Sequence, residues 1–345
     1  MNRPQPVLPP RSRATCGWAP LALLVAIELI VYFVTTYIVL LPVLWPELGM
    51  TRGARHSSYL AKAVGVFLLV TYQVLFAFLG WSCARAITTP PGDIPSWLRS
   101  DGKSDLHSYS NLLQAVERKS DGSPRFCRKT WAYKPDRAHY CSEVNRCVLQ
   151  YQTFSVTLNS AIGFYNYKFY LLAIFYGFCT SAWTVGSCLP EVIAQWPPFS
   201  SLPSPQLEPQ QQQQQQQQGR HMLHAASAHI ARQVEAIRLS IADDEASQWV
   251  VDATILFTLV VATLMLVPCL LLLLMHAYLV VNGRTLYEWR QVQAGKRPRG
   301  ASLFDYGVLN NVALTLGMYP ILWIVPTRSG IEGNGIFYPE QERLQ

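Results

Sequence analysis

Four side chains able to bind a metal or act as nucleophiles lie inside one 21-residue stretch of the chain. They are Cys127, His139, Cys141 and Cys147. Thiolates and imidazoles are the preferred ligands of structural zinc. Most small zinc folds grip the ion with a C-x-x-C pair, however, and that spacing is absent here. The spacing alone is therefore only a weak indication of a zinc site.

The residues around these cysteines occur in a distinctive order. They are Lys134, Pro135, Arg137, His139, Cys141, Ser142, Asn145, Arg146, Cys147, Val148, Asn159 and the run Gly163 to Phe169. This order resembles the cysteine-rich domain of the DHHC protein S-palmitoyltransferases. In that family the domain lies between the second and third of four membrane spans.

Two pieces near the C-terminus are also similar to the family. Thr285 and Glu288 stand where the family has Thr-Thr-x-Glu, with the second Thr replaced by Leu286. Asn311 falls in a segment that looks like the family's C-terminal element and is most similar to fungal members. The resemblance therefore covers most of the chain outside the N-terminus and one long loop.

The resemblance implies two zinc ions, each held by three Cys and one His, and most of these ligands are replaced here. Three of the eight remain, and structural zinc normally needs four ligands. Zinc is expected in the family, but we expect neither site of this chain to hold it and predict no other cofactor. The first ligand set aligns with Cys127, Thr130, Tyr140 and Cys147, and the second with Cys141, Val144, Phe154 and Ala161.

Without zinc, the three cysteines are expected to be small buried apolar side chains. We further expect aromatic and apolar residues, several at former ligand positions, to form a small core in place of the metal. The residues expected in this core are Trp131, Tyr133, Tyr140, Val144, Tyr151, Phe154 and Ala161.

The catalytic signature of the family, Asp-His-His-Cys, aligns with Gln152, Thr153, Phe154 and Ser155. The resemblance implies that the Cys takes the acyl group from palmitoyl-CoA, with the first His as base and the Asp orienting it. Ser155 holds the position of the nucleophile, but Thr153 and Gln152 cannot accept its proton at neutral pH. General-base assistance is worth ~10²–10⁴ in rate, so we predict that transfer by the family route is negligible.

Three functional hypotheses follow. The one favoured by the altered signature is a non-catalytic binding or regulatory homologue whose partners are the bilayer, palmitoyl-CoA and client or partner proteins. The second is an active palmitoyltransferase that uses a non-standard nucleophile, either Cys147 or Ser155 with a base from elsewhere. The third is an unrelated four-span protein with a chance resemblance, and the intact run from Gly163 to Phe169 argues against it.

The elements that must position these residues are membrane helices. Half of the residues are apolar and only 14% are charged, which is too little charge for a soluble protein of this size. Four apolar segments reach the ~20 residues needed to cross a bilayer. The predicted fold is therefore an all-α polytopic membrane protein with a small irregular cysteine-rich domain between spans two and three. The segments run over residues 19–45, 62–83, 169–190 and 249–281.

Orientation follows from the basic residues, because cytoplasmic loops hold the excess of Lys and Arg. Residues 84–168 contain 12 of the 28 basic residues and the tail over 282–345 contains seven, whereas residues 194–248 contain three. Both termini and the cysteine-rich domain (residues 84–168) are predicted to be cytosolic, in an endomembrane (ER, Golgi or vacuole) or the plasma membrane. No nucleic-acid motif accompanies the net charge of +7, so nucleic acid is not a predicted partner.

Two segments of the chain have a biased composition. Residues 1–18 are proline-rich and are expected to be a disordered cytosolic tail. Residues 191–248 are expected to be a lumenal loop, and its nine consecutive glutamines, Gln210 to Gln218, form a low-complexity tract.

Overall fold

The computed structural model describes residues 17–40, 59–99, 116–119, 121–195, 245–328, 331 and 333–338. All but two residues of the predicted N-terminal tail lie outside this part of the chain, as does the whole glutamine tract.

Four long helices dominate the described residues. Helix α1 (Ala19–Phe33) continues as a π-helical stretch over Val34–Leu40, and it is followed by α2 (Tyr59–Thr88), α3 (Tyr167–Gln195) and α4 (Glu245–Val281). Each contains a segment long and apolar enough to cross a membrane. The predicted four-span, mainly helical fold is therefore confirmed. The segments are Ala19–Leu40, Ala63–Thr88, Tyr167–Ile193 and Trp249–Val281.

The surfaces of these helices fit a lipid solvent. Large apolar side chains stand exposed along them, for example Phe67 at 64% and Leu264 at 62% of their full area. Such exposure would be unfavourable in water and is expected for helices surrounded by hydrocarbon. Helix α2 ends at Thr88 because Pro90 and Pro91 follow, and proline cannot continue a helix.

The chain divides into two compact units. In the second unit, the hydroxyl of Thr184 is 3.4 Å from that of Thr35 and 3.2 Å from that of Tyr72. Hydrogen bonds of this kind satisfy polar groups that water cannot reach. The first unit falls within Met1–Ile27, Leu75–Phe178 and Val267–Gln345, and the second within Glu28–Val74 and Cys179–Leu266.

The cysteine-rich domain is built from three short antiparallel hairpins in the first unit. The sequence did not predict these strands, because strands of two or three residues are too short to show an alternation of apolar and polar residues. The turns of the second and third hairpins contain Asn145 and Asn159 with φ of 52° and 47°, a left-handed backbone that asparagine tolerates. The paired strands are β1 (Phe126–Cys127) with β2 (Ala132–Tyr133), β3 (His139–Cys141) with β4 (Arg146–Val148), and β5 (Thr153–Ser155) with β6 (Ser160–Ile162).

The tail returns to the first unit after the fourth span. Four residues separate the end of α4 from helix α5 (Leu286–Gln293), and helix α6 (Val308–Leu316) follows. Thr285 caps α5: its hydroxyl accepts a hydrogen bond from the Glu288 amide, and the Glu288 carboxylate accepts one from the Thr285 amide.

Candidate functional site

The four residues aligned with the first zinc-ligand set lie together. The register of β3 and β4 places Tyr140 opposite Cys147, and the Thr130 hydroxyl is 3.4 Å from the Cys147 sulfur. Cys127 and Cys147 are both buried and belong to the same core cluster. The Tyr140 hydroxyl instead donates to Asn145 Oδ1 at 3.0 Å. The structure therefore brings the four aligned positions into one region of the domain.

The four residues aligned with the second ligand set form an apolar cluster. Phe154 and Ala161 face each other across the β5–β6 hairpin. The Cys141 thiol donates a hydrogen bond to the Glu143 carboxylate at 3.1 Å. Apolar packing thus stands where the family holds a metal. The cluster contains Cys141, Val144, Val148, Tyr151, Phe154, Ala161 and Tyr287.

One residue of the expected core lies elsewhere. Trp131 is 40% exposed, in a turn with φ of 49°, so the expectation that it would be buried was wrong. The turn of the first hairpin directs it outward, where its ring stands nearly perpendicular to the Phe126 ring at a centroid separation of 6.2 Å.

Neither ligand set fits zinc. The first offers two thiols, a hydroxyl and a phenol, and the second offers one thiol among apolar groups. Within the described residues, no three His, Cys, Asp or Glu side chains are grouped so that they could hold a metal. Burial also raises the pKa of Cys147 to about 12 and that of Cys141 to about 11, whereas zinc needs thiolates.

The residues at the signature positions have structural partners. The buried Gln152 accepts a hydrogen bond from the Leu286 amide at 2.8 Å, which holds the start of α5. The Thr153 hydroxyl accepts one from Arg290 at 3.4 Å. The Ser155 hydroxyl accepts one from the Leu158 amide at 3.3 Å, within the β5–β6 turn. These side chains hold the hairpin together and attach it to the tail.

The two described histidines have partners of their own. The buried His139 ring lies on the Tyr287 ring with centroids 4.1 Å apart. Burial, together with the charge of Arg125, lowers the pKa of His139 to about 3, so the ring is neutral. His276 Nδ1 hydrogen-bonds with the Tyr167 hydroxyl at 3.0 Å. In the described part of the chain, neither ring contacts Ser155.

Cys147 is poorly suited to act as the alternative nucleophile. Its side chain is buried, and its sulfur is 3.4 Å from the Thr130 hydroxyl. A thiol attacks as its thiolate, and burial disfavours that form at neutral pH.

The motif residues of the tail connect the parts of the first unit. Glu288 forms a buried ion pair with Arg137, and Arg137 also donates to the Gly283 carbonyl at 2.9 Å. The amide nitrogen of Asn311 donates to the Val281 carbonyl at 2.9 Å, and its oxygen accepts from the Tyr306 amide at 3.0 Å. These contacts make Glu288 and Asn311 positioning residues for the end of the fourth span.

Sequence reasoning missed Glu117, which is buried among cations. Its carboxylate pairs with Arg125 at 2.6 Å and with Arg297, and it accepts a hydrogen bond from the Arg137 amide at 2.9 Å. Burial raises the pKa of Glu117, but the two arginines outweigh it and lower the pKa to about 2. In the sequence, Glu117 is only an acidic residue next to Arg118, and this position does not indicate which basic residues it contacts.

A cavity of about 470 Å³ lies beside Arg137 in the first unit. Gln152 and Phe164 line it together with Phe304, Asn311 and Tyr338 from the tail, and Ser155 is not among the lining residues. Its walls come from segments far apart in sequence, so no local motif could have predicted it.

Comparisons with known proteins agree with this architecture. The sequence model of the DHHC palmitoyltransferase family matches residues 120–293, about half of the chain. Palmitoyltransferase ZDHHC15A of Danio rerio is 24% identical over 326 residues, which cover 90% of this chain and 85% of that protein. Probable protein S-acyltransferase 14 of Arabidopsis thaliana is 33% identical over 180 residues, which cover 50% of this chain and 56% of that protein. Palmitoyltransferase PFA3 of Gibberella zeae is 33% identical over 148 residues, covering 42% of this chain and 26% of that protein.

Proposed function

Because this multi-span membrane protein belongs to the DHHC palmitoyltransferase family, we propose that it is a non-catalytic member of that family, acting by binding and not by acyl transfer. The observation that carries the proposal is the environment of Ser155. Its hydroxyl accepts a hydrogen bond from the Leu158 amide, and the described histidines are engaged with Tyr287 and Tyr167. A serine hydroxyl without a base is a weak nucleophile.

The proposed ligands are those of the family. Palmitoyl-CoA and client or partner proteins are bound, and Gln152, Thr153 and Ser155 serve as parts of the scaffold. The hydrogen bonds from Leu286 and Arg290 to the first two of these side chains support that role. In this proposal Cys127, Cys141 and Cys147 are not zinc ligands.

The proposed orientation has both termini and the cysteine-rich domain in the cytosol, with the membrane being an endomembrane or the plasma membrane. The distribution of Lys and Arg between the segments supports it. Trypsin added outside sealed microsomes should cut within residues 125–146 and leave the 191–248 loop intact. Cleavage confined to that loop would show that the protein has the opposite orientation.

The direct test of the proposed function is transfer of an alkyne analogue of palmitoyl-CoA onto the detergent-purified protein, with an active DHHC palmitoyltransferase as positive control. We expect no label on the wild type above the level of a boiled sample. Retention of radiolabelled palmitoyl-CoA by the same protein in equilibrium dialysis should show saturable binding.

The variants Ser155→Ala and Cys147→Ala test the alternative function, an active enzyme that uses one of these two residues as its nucleophile. Wild-type label that hydroxylamine removes and that Cys147→Ala abolishes would identify an active enzyme with a thiol nucleophile. Label that resists neutral hydroxylamine and is lost in Ser155→Ala would identify a serine ester. Either outcome would overturn the non-catalytic proposal.

A further inference from the structure

The tail contains a long segment without charge whose apolar side chains face outward. Residues 306–327 include no Asp, Glu, Lys or Arg. Leu309 is 81% exposed and Ile321 is 82% exposed. A contiguous apolar surface of this kind marks a site of contact with another protein or with a membrane. The large apolar side chains that are more than half exposed are Val308, Leu309, Met318, Tyr319, Ile321 and Ile324.

This segment lies against two membrane-crossing helices. Asn311 of α6 donates a hydrogen bond to the carbonyl of Val281, the last residue of α4. Farther along, the Ile324 carbonyl accepts one from the Tyr176 hydroxyl at 2.5 Å. Tyr176 is the tenth residue of α3, and helical side chains point back toward the start of their helix. Ile324 therefore lies beside the first turns of a span.

The irregular backbone of the segment finds hydrogen-bond partners within the protein. The Leu322 carbonyl accepts from Lys168 Nζ at 2.8 Å, and the Gly317 carbonyl accepts from Trp323 Nε1 at 2.8 Å. Two further carbonyls, at and just before the 3₁₀ turn Pro320–Leu322, accept from the amides three residues later. Backbone at the depth of the hydrocarbon needs such internal partners, because water is not present to supply them. The segment thus meets the condition for leaving water.

We propose that residues 308–324 form a shallow anchor embedded in the leaflet next to the cysteine-rich domain, with the exposed apolar side chains among lipid acyl chains. The bilayer is favoured over a second copy of the chain, because this surface continues the lipid-facing surfaces of α3 and α4. The exposed cations Lys296 and Arg299 precede the segment and Arg328 follows it, at the level of the anionic head groups. The tail enters and leaves the leaflet on the same side.

The test places the photoreactive residue p-benzoylphenylalanine at position 309 or 321 of the full-length protein in phosphatidylcholine nanodiscs. After irradiation and removal of free lipid, trypsin releases both positions in the peptide 300–328. Alkaline hydrolysis then cleaves the esters of any attached lipid. A fatty acid left on the peptide shows contact with acyl chains, whereas glycerophosphocholine shows contact with head groups only. We expect the fatty acid at both positions.

The matched control carries the same residue in place of Trp131, which is 40% exposed in the turn of the first hairpin. Its tryptic peptide, 130–137, should carry no lipid, and an unchanged Tm confirms that each variant is folded. The proposal is overturned if the probe at 321 gives no lipid adduct, a head-group adduct only or a cross-link to a second copy. Equal attachment of acyl chains to the control would also overturn it. The result does not depend on acyl transfer, so the two proposals can fail separately.

Discussion

Arg137 and Glu288 are 151 residues apart in the chain and form a buried two-point ion pair. Arg137 Nε lies 2.9 Å from Glu288 Oε1, and Nη2 lies 3.0 Å from Oε2. Both side chains are almost completely buried, and the guanidinium also lies over the Phe304 ring at 4.7 Å. The pair therefore fixes helix α5 against the cysteine-rich domain.

Removing one member of this pair should destabilise the protein strongly. Glu288→Gln leaves the Arg137 charge buried without a counter-charge, which costs about 3–5 kcal/mol. We expect Tm of the detergent-solubilised protein to fall by about 10 °C. The matched control is Asp93→Asn, because the Asp93–Arg146 pair is partly exposed and should contribute less than about 1 kcal/mol. Equal effects of the two substitutions would contradict the importance assigned to the buried pair.

Acid should weaken the contacts of Glu117. Because the arginines lower its folded pKa from 4.5 to about 2, its stabilisation is complete above about pH 5 and is lost as the pH falls toward 2. This lowering of the pKa corresponds to a stabilisation of about 3 kcal/mol at most. The sign is stabilising at neutral pH, because the folded state binds the proton more weakly than the unfolded state. Glu117→Gln should lower Tm at pH 7 and reduce the fall in Tm between pH 5 and pH 3. A variant with the pH profile of the wild type would refute this assignment.

The parts of the fold that the sequence could predict are those determined by local pattern or by aligned position. The apolar runs identified the spans. The alignment groups Cys127 with Cys147 and Phe154 with Ala161, and in the structure the members of each pair share one cluster. The Arg137–Glu288 pair could not be predicted from spacing, although both residues belong to the matched motifs, because charge alone does not select a partner across so long a separation.

The roles of the altered positions were also beyond sequence reasoning. Gln152 is excluded as a base by its chemistry, but nothing in its neighbourhood indicates that its oxygen binds the Leu286 amide. Such a hydrogen bond depends on how α5 packs against the β5–β6 hairpin. Trp131 shows the same limit, because an aromatic residue at a turn is buried or exposed according to the turn's backbone.

Restoring two ligands should restore the first zinc site. Thr130 and Tyr140 occupy the missing Cys and His positions beside Cys127 and Cys147, so Thr130→Cys with Tyr140→His completes three Cys and one His. We expect one zinc per chain in the double variant and less than 0.1, roughly background, in the wild type. The metal is measured by inductively coupled plasma mass spectrometry after purification in excess zinc.

A matched control separates this site from the second one. Cys141→Ser in the double-variant background should leave the zinc content unchanged, because Cys141 belongs to the apolar cluster. Loss of zinc in that triple variant, or one zinc per chain in the wild type, would mean that the ligand sets are assigned wrongly.

Acyl transfer should return only when a thiol and a base are placed together on β5. Residues two apart on a strand project from the same face, so a base at position 153 faces a nucleophile at 155, whereas Phe154 points into the apolar cluster. Ser155→Cys alone should take up palmitate at a trace level. Adding Thr153→His should increase the rate by about 100-fold or more, which is the lower range for general-base assistance.

The control is Phe154→His with Ser155→Cys, which adds a histidine on the opposite face and should stay at the trace level. The measurement is the initial rate of hydroxylamine-labile labelling by the palmitoyl-CoA analogue, with Tm confirming that each variant is folded. Equal rates in the two histidine variants would show that the strand geometry does not direct the base to the thiol, and the loss of catalysis would then need a cause outside the signature.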